Sequence, residues 1–281
     1  MRFVSLNGKF VPYDQATLHI SDLGLRRGYG AFEFFRILQG VPVFLEDHLS
    51  RFENTAGMLE LEIPFTRSQL EALIYELIRL NELKRAGIQL VLTGGYSPDA
   101  FTPSTPNLVM APLEIKSHPA VYYQQGAKII LHQNLREMPL AKSTDYLVAV
   151  RLGKRVRAEG ATEVVYHNGT TVSEGGRSSL SIIKNGVLIT DLEGVLPGIT
   201  RMHLLQVAKL ILPIEFRSIM LPELFSADEV ILTGATREVM PITQIEDRPV
   251  ADGKVGPFTQ TLMKAFREHL EAYLASRTVA G

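Results

Sequence analysis

The 281-residue chain contains no cysteine. That excludes disulfides, thiolate metal sites and a cysteine nucleophile, and it fits the cytoplasm, where the protein is expected to reside. An excess of charge of one sign is also missing, because 29 Lys and Arg face 30 Asp and Glu for a net charge of −1. Nothing in that balance attracts nucleic acid or an anionic membrane, so the expected partner is a small molecule. No apolar run approaches the length of a membrane span, and the N-terminal MRFVSLNGKFVPYDQ has no signal-peptide core. There is no repeat or low-complexity tract. What is present is 46% hydrophobic and 21% charged, an ordinary globular composition with length for one large domain or two of common size.

Hairpin and helix patterns alternate along the chain. Phe3 to Val11 reads as a hairpin turning at Asn7-Gly8, and Ala31 to Leu38 as a strand turned back at Gln39-Gly40. A helix is predicted from about Glu46, and another over Ser68 to Asn81, with Leu70, Leu73, Ile74, Leu77 and Ile78 on one face. Strands follow at Ile88 to Thr93 and Asn107 to Leu113. KSHPAVYYQQG, with its Pro and Gly, reads as a linker. Beyond it come a strand at Lys128 to His132, a helix over Thr144 to Glu159, and hairpins at Asn168-Gly169 and Asn185-Gly186. A helix over Thr200 to Leu212, a strand at Glu229 to Leu232 and a closing helix over Phe258 to Leu274 complete the pattern. Hairpins mixed with helices predict an α+β chain of two domains: 1–117, a linker over 118–126, and 127–281.

Three segments carry candidate chemistry. Lys142, in AKSTDYL, has apolar neighbours that suggest partial burial, which lowers a lysine pKa and frees the amine as a nucleophile. If a helix opens here, Tyr146 shares its face. Glu174 precedes Gly175-Gly176, which let the backbone turn sharply or approach a flat ligand. Leu196-Pro-Gly-Ile-Thr-Arg201 opens a helix whose first amides, at Ile199 and Thr200, form an anion site. A second turn, Thr233-Gly-Ala-Thr-Arg-Glu238, could approach the same anion. Each has a bland reading by itself: a snorkelling surface lysine, a glutamate at a strand end, a Pro-Gly turn with Thr200 as helix cap, and, for Arg51, a solvated helix arginine.

Taken together, these motifs resemble the class IV, or fold-type IV, pyridoxal-phosphate aminotransferases. That group includes D-amino-acid transaminase, branched-chain aminotransferase and aminodeoxychorismate lyase. The resemblance runs in order through GYGAFEFFR, HLSRF, KSTDYL, VSEGGRSS, LPGITR, ADEVILTGATREVMPI and DGKVGPFTQTLMKAF. It implies a smaller N-terminal and a larger C-terminal domain with pyridoxal 5′-phosphate between them. Lys142 would be the Schiff-base lysine, Glu174 the partner of the pyridine nitrogen, Tyr146 a neighbour of the cofactor's phenolate oxygen, and Arg51 with the Ile199 and Thr200 amides the phosphate ligands. It also implies a homodimer with active sites at the interface.

The chain departs from the group's pattern in places. Asp145 stands where Asn is common, and Ala235 where a threonine commonly binds phosphate, leaving Thr236 or main chain to substitute. Phe32 replaces the tyrosine of typical D-amino-acid transaminases, and Thr93-Gly-Gly-Tyr-Ser-Pro98 lacks their arginine and histidine. Other arginines must then hold a substrate carboxylate. Arg27, beside Gly28-Tyr29-Gly30, and Arg177, three residues after Glu174, are the candidates. The expected reaction moves an amino group between an amino acid, D-amino acids favoured, and a 2-oxo acid such as 2-oxoglutarate. Branched-chain transamination comes next, since Phe32-Glu33 and Arg36 resemble that subgroup, and then the lyase. The alternative from another class is a non-catalytic cofactor- or phosphate-binding protein.

Overall fold

The computed structural model describes residues 1–278. Two compact units emerge from it. The first holds residues 1–116, the short segment 141–145 and the chain from Tyr273; the second holds 117–140 and 146–272.

The first unit is built on a six-stranded antiparallel sheet. Its strands are β1 (Phe3–Leu6), β2 (Lys9–Pro12), β3 (Gly30–Leu38), β4 (Val41–Pro42), β5 (Arg85–Thr93) and β6 (Asn107–Leu113), in the order β2-β1-β6-β5-β3-β4. The Asn7-Gly8 turn has positive φ at both residues, as a type I′ hairpin demands. Three helices accompany the sheet: α1 (Leu23–Arg27), α2 (Leu45–Met58) and α3 (Arg67–Asn81). A capping box of Thr66 and Gln69 starts α3, whose Leu70, Ile74, Leu77 and Ile78 are buried as their spacing predicts. Leu49 and Phe52 of α2 join them with Phe35, Ile37, Ile88 and Leu90 in one core. Tyr273 rests its ring on Phe44 at 4.8 Å.

Segment 141–145 is tied to β3. The Phe32 N–H donates to Lys142 O at 2.9 Å, and the Thr144 N–H donates to Gly30 O at 2.8 Å. This corrects the expected helix over Thr144 to Glu159. The backbone groups of 142–144 serve β3, so α5 begins only at Leu147 and ends at Ala158, with Tyr146 as its N-cap. Lys142 and Tyr146 therefore do not share a helix face.

The second unit contains ten strands. They are β7 (Ala127–Gln133), β8 (Glu163–His167), β9 (Thr171–Gly175), β10 (Ser179–Lys184), β11 (Val187–Thr190), β12 (Ile214–Phe216), β13 (Ile219–Met220), β14 (Glu229–Gly234), β15 (Glu238–Ile245) and β16 (Arg248–Pro249). Pairing runs β10-β14-β15-β7-β8-β9, and Ser179 opposite Glu174 joins β9 back to β10, which closes the ring into a barrel. Val165, Leu180, Ile182, Val230, Leu232, Met240 and Ile242 lie in its core. Besides α5, the helices are α4 (Val121–Gln124), α6 (Ile199–Ala208), α7 (Leu221–Phe225) and α8 (Pro257–Thr278), the last turns of α8 being grouped with the first unit.

The partition differs from the expected one around the linker. Residues 118–126 belong to the second unit, where α4 lays Tyr122 and Tyr123 against the core and the Tyr123 hydroxyl donates to Arg237 O at 3.0 Å. Two tyrosines that bury their rings make this stretch part of a fold despite its flanking Pro and Gly. Among the described residues, no helix is long and apolar enough to cross a membrane.

Candidate functional site

In the first unit the chemistry gathers where segment 141–145 meets β3. The Lys142 amide donates to Thr55 Oγ1 of α2 at 3.2 Å, a third tether on this backbone. The half-buried side chain places its Nζ over the Phe32 ring, 4.4 Å from the centroid. The amine is thus held over an aromatic face by a fixed backbone.

The same unit holds a buried charged cluster. Glu33, fully buried, accepts from Arg51 Nε at 2.9 Å and Nη2 at 2.7 Å. His48 Nδ1 sits 3.1 Å from Glu33 Oε1; facing an oxygen that only accepts, it carries the proton. Burial pushes the Glu33 carboxyl up, but the charges of Arg51 and His48 and their hydrogen bonds outweigh it, and the net direction is down. Burial also lowers the His48 imidazole, against the pull of Glu33, while Arg51 and Lys142 add to the lowering. Glu33 thus holds two nitrogens of the Arg51 fork, fixing a cation in the same unit as Lys142.

In the second unit both oxygens of buried Glu174 have partners. Arg136 Nη1 donates to Oε1 at 2.9 Å and the Leu196 N–H to Oε2 at 3.1 Å. The carboxylate lies beside the Leu196–Arg201 turn, and its remaining lone pairs can take a further N–H. Arg201 fastens that turn by donating to Leu196 O at 3.1 Å and to the Asp191 carbonyl.

The turn leads into α6, whose N-cap Gly198 offers no side-chain cap. The first helical bond is Met202 N–H to Gly198 O, so the amides of Ile199 and Thr200 precede the ladder, as an anion site requires. A Cβ on Gly198 would lie 2.3 Å from Ser179 Oγ, so the turn is seated directly on β10. Ser179 stands opposite Glu174 on one side and Thr233 on the other. This row joins the carboxylate to the β14–β15 hairpin, on which Ala235 and Thr236 form the tip. The Thr233 hydroxyl is buried without a hydrogen-bond partner. The amine and guanidinium of the first unit, and the carboxylate, uncapped helix start and orphaned hydroxyl of the second, are each of a chemical kind that suits a part of pyridoxal phosphate.

Two expected residues stand apart. Arg27, exposed on α1, lies over the Phe101 ring at 4.6 Å, and Arg177 is exposed on the turn after Glu174. Sequence reasoning named Glu33 only for its likeness to the branched-chain subgroup and missed its hold on Arg51; it also missed His48 and Thr55, Arg136 on Glu174, and a buried pair in which Arg237 Nη2 meets Glu163 Oε2 at 2.9 Å. The alternating burial of β3 could have signalled Glu33, since it falls on the inward parity with Phe35 and Ile37. No local pattern signals the other partners, which come from distant segments.

The family described as amino-transferase class IV matches residues 30–245. The D-alanine aminotransferase of Listeria monocytogenes serotype 4b (strain F2365) is 32% identical over 278 residues, 95% of this chain and 96% of that protein. That of Staphylococcus haemolyticus is 29% identical, covering 97% of this chain and 99% of the relative. Among solved structures, the T.th. branched-chain amino acid aminotransferase with pyridoxamine 5′-phosphate superposes with a TM-score of 0.88 at 27% identity, over 96% of this chain and 94% of the other. The Escherichia coli branched-chain amino acid aminotransferase gives a TM-score of 0.88 at 25% identity, over 95% and 94%.

Proposed function

The chain belongs to the class IV aminotransferases, and from that premise we propose that it transfers an amino group from D-amino acids to 2-oxo acids such as 2-oxoglutarate, with pyridoxal 5′-phosphate as cofactor. The observation that carries the donor assignment is the near full-length similarity to D-alanine aminotransferases. The transaminase chemistry rests on the family and on a donor set that fits the cofactor.

Bound pyridoxal phosphate supplies an aldehyde that takes up amino groups and a ring that draws off charge from the substrate Cα. Lys142 Nζ would hold the cofactor and, as a free amine, would carry the proton from the substrate Cα, acting as base and then as acid. Phe32 lays its ring beneath that amine and limits where the side chain can swing. Glu174, held by its ion pair with Arg136, would accept the pyridine N–H. Arg51, aimed by Glu33, and the Ile199 and Thr200 amides would hold the phosphate, with the Ala235–Thr236 tip adding main chain or the Thr236 hydroxyl. Tyr146 would offer its hydroxyl to the phenolate oxygen. Arg27 and Arg177 hold the substrate carboxylate, Arg27 reaching in from a second copy of a cytoplasmic homodimer.

Branched-chain L-amino acids are the second reading, favoured by the structural neighbours and by the Phe32-Glu33 and Arg36 positions. Chiral assay of oxo-acid release from D- and L-donors, with 2-oxoglutarate as acceptor, separates the two. Faster turnover of D-alanine than of L-leucine is expected, and the reverse overturns the donor assignment. Arg27→Ala and Arg177→Ala should each raise KM for donor and acceptor; wild-type KM in both variants rejects the clamp.

A further inference from the structure

One buried ion pair of the second unit has no part in the chemistry above. Arg237, 2% exposed, donates from Nη2 to Glu163 Oε2 and to Thr162 O, both at 2.9 Å, while its Nε is buried without a hydrogen-bond partner. The Tyr123 hydroxyl donates to its carbonyl. An ion pair of this kind stabilises little, because desolvating two charges offsets most of their attraction. Its position is more informative than its energy.

Arg237 ends the β14–β15 turn, where its N–H donates to Gly234 O at 3.0 Å and closes the tip that carries Ala235 and Thr236. Glu163 starts β8 and lies under the other glycine turn. Its Oε2 is 3.5 Å from Ser178 Oγ, and a Cβ on Gly176 would sit 3.3 Å from its Oε1. The same Cβ would sit 3.3 Å from the Tyr166 hydroxyl. The two turns also touch directly, since a Cβ on Gly234 would lie 3.3 Å from Arg177 O. Burial lowers the Arg237 guanidinium pKa, Glu163 raises it, and the nearby charge of Arg177 lowers it again.

We propose that Arg237 and Glu163 are positioning residues: their buried bridge locks the turn bearing Arg177 to the turn bearing Ala235 and Thr236, so that carboxylate clamp and phosphate cradle are set as one piece. The proposal rests on the assignment of those two turns made above. A shift of either turn by a fraction of an ångström would then degrade both binding events, which no contact of Arg237 with either ligand requires.

The double variant Glu163→Met/Arg237→Met separates positioning from bulk stability, because it removes both charges and leaves none buried alone. A purely structural pair predicts that the double variant regains wild-type melting, KM for 2-oxoglutarate and Kd for pyridoxal phosphate, the last measured by fluorescence titration of the apoprotein. A positioning pair predicts a melting temperature near wild type with KM and cofactor Kd both raised about tenfold and kcat changed less. Glu163→Gln, which keeps the shape and loses the charge, should raise both constants in the same direction and serves if the double variant does not fold. Either variant, folded and with both constants unchanged, overturns the proposal. Arg177→Ala is the control, expected to raise KM alone. A wild-type protein that releases no oxo acid from any amino donor rejects the transaminase reading instead, while cofactor Kd in the variants still judges the bridge.

Discussion

Glu33 holds two groups at once, the Arg51 fork and the His48 imidazole, in a buried cluster. Glu33→Gln leaves Arg51 as a buried, uncompensated cation, and we expect a loss of about 3–5 kcal/mol at pH 7. The folded carboxyl titrates below its ordinary value of 4.5, so its contribution is complete above that pH and fades as pH falls beneath it. Urea unfolding of wild type and variant should therefore diverge at neutral pH and converge in acid. A constant difference across pH would contradict the charge-based explanation.

At the scale of single elements, the α6 start is the most exacting. Gly198 has φ −68, a backbone any residue can adopt, yet a methyl group there meets Ser179 Oγ. Gly198→Ala is expected to displace the first α6 amides and raise cofactor Kd about tenfold, and adding Ser179→Ala should recover most of the loss by removing the obstructing oxygen. Unchanged affinity in the single variant would show that the seat is not tight. The helix periodicity of α3, the Asn-Gly hairpins and the Pro-Gly-Ile-Thr turn were all legible because each is encoded within a few residues. Segment 141–145 was not: its Lys-Ser-Thr-Asp run satisfies helix-start chemistry, and only a partner strand more than a hundred residues earlier decides that it is extended. β15 also escaped, because Pro241 argues against a strand interior. The sheet accommodates it opposite Ile231, with a register irregularity toward β7 between Ile242 and Gln244.

For the whole molecule, the linked motifs along the chain made the fold class and the cofactor legible, because several rare local patterns occur in one order. What they could not disclose is the scaffold behind each functional side chain: Glu33 behind Arg51, Arg136 behind Glu174, Thr55 behind Lys142. Those contacts arise from tertiary folding, and no spacing rule anticipates them. The assembly is a prediction at this scale. Leu147 and Val150, three apart on α5, are each about three-quarters exposed, as are Ile20, Leu25 and Phe101, apolar side chains that a second copy could cover. Sedimentation equilibrium should give twice the chain mass, and a monomer at micromolar concentration would contradict the homodimer. The central claim concerns one amine. Incubation with pyridoxal phosphate, borohydride reduction and peptide mass spectrometry should place a single phosphopyridoxyl adduct on Lys142, absent from Lys142→Ala. An unmodified Lys142, with the label elsewhere or nowhere, would contradict the account.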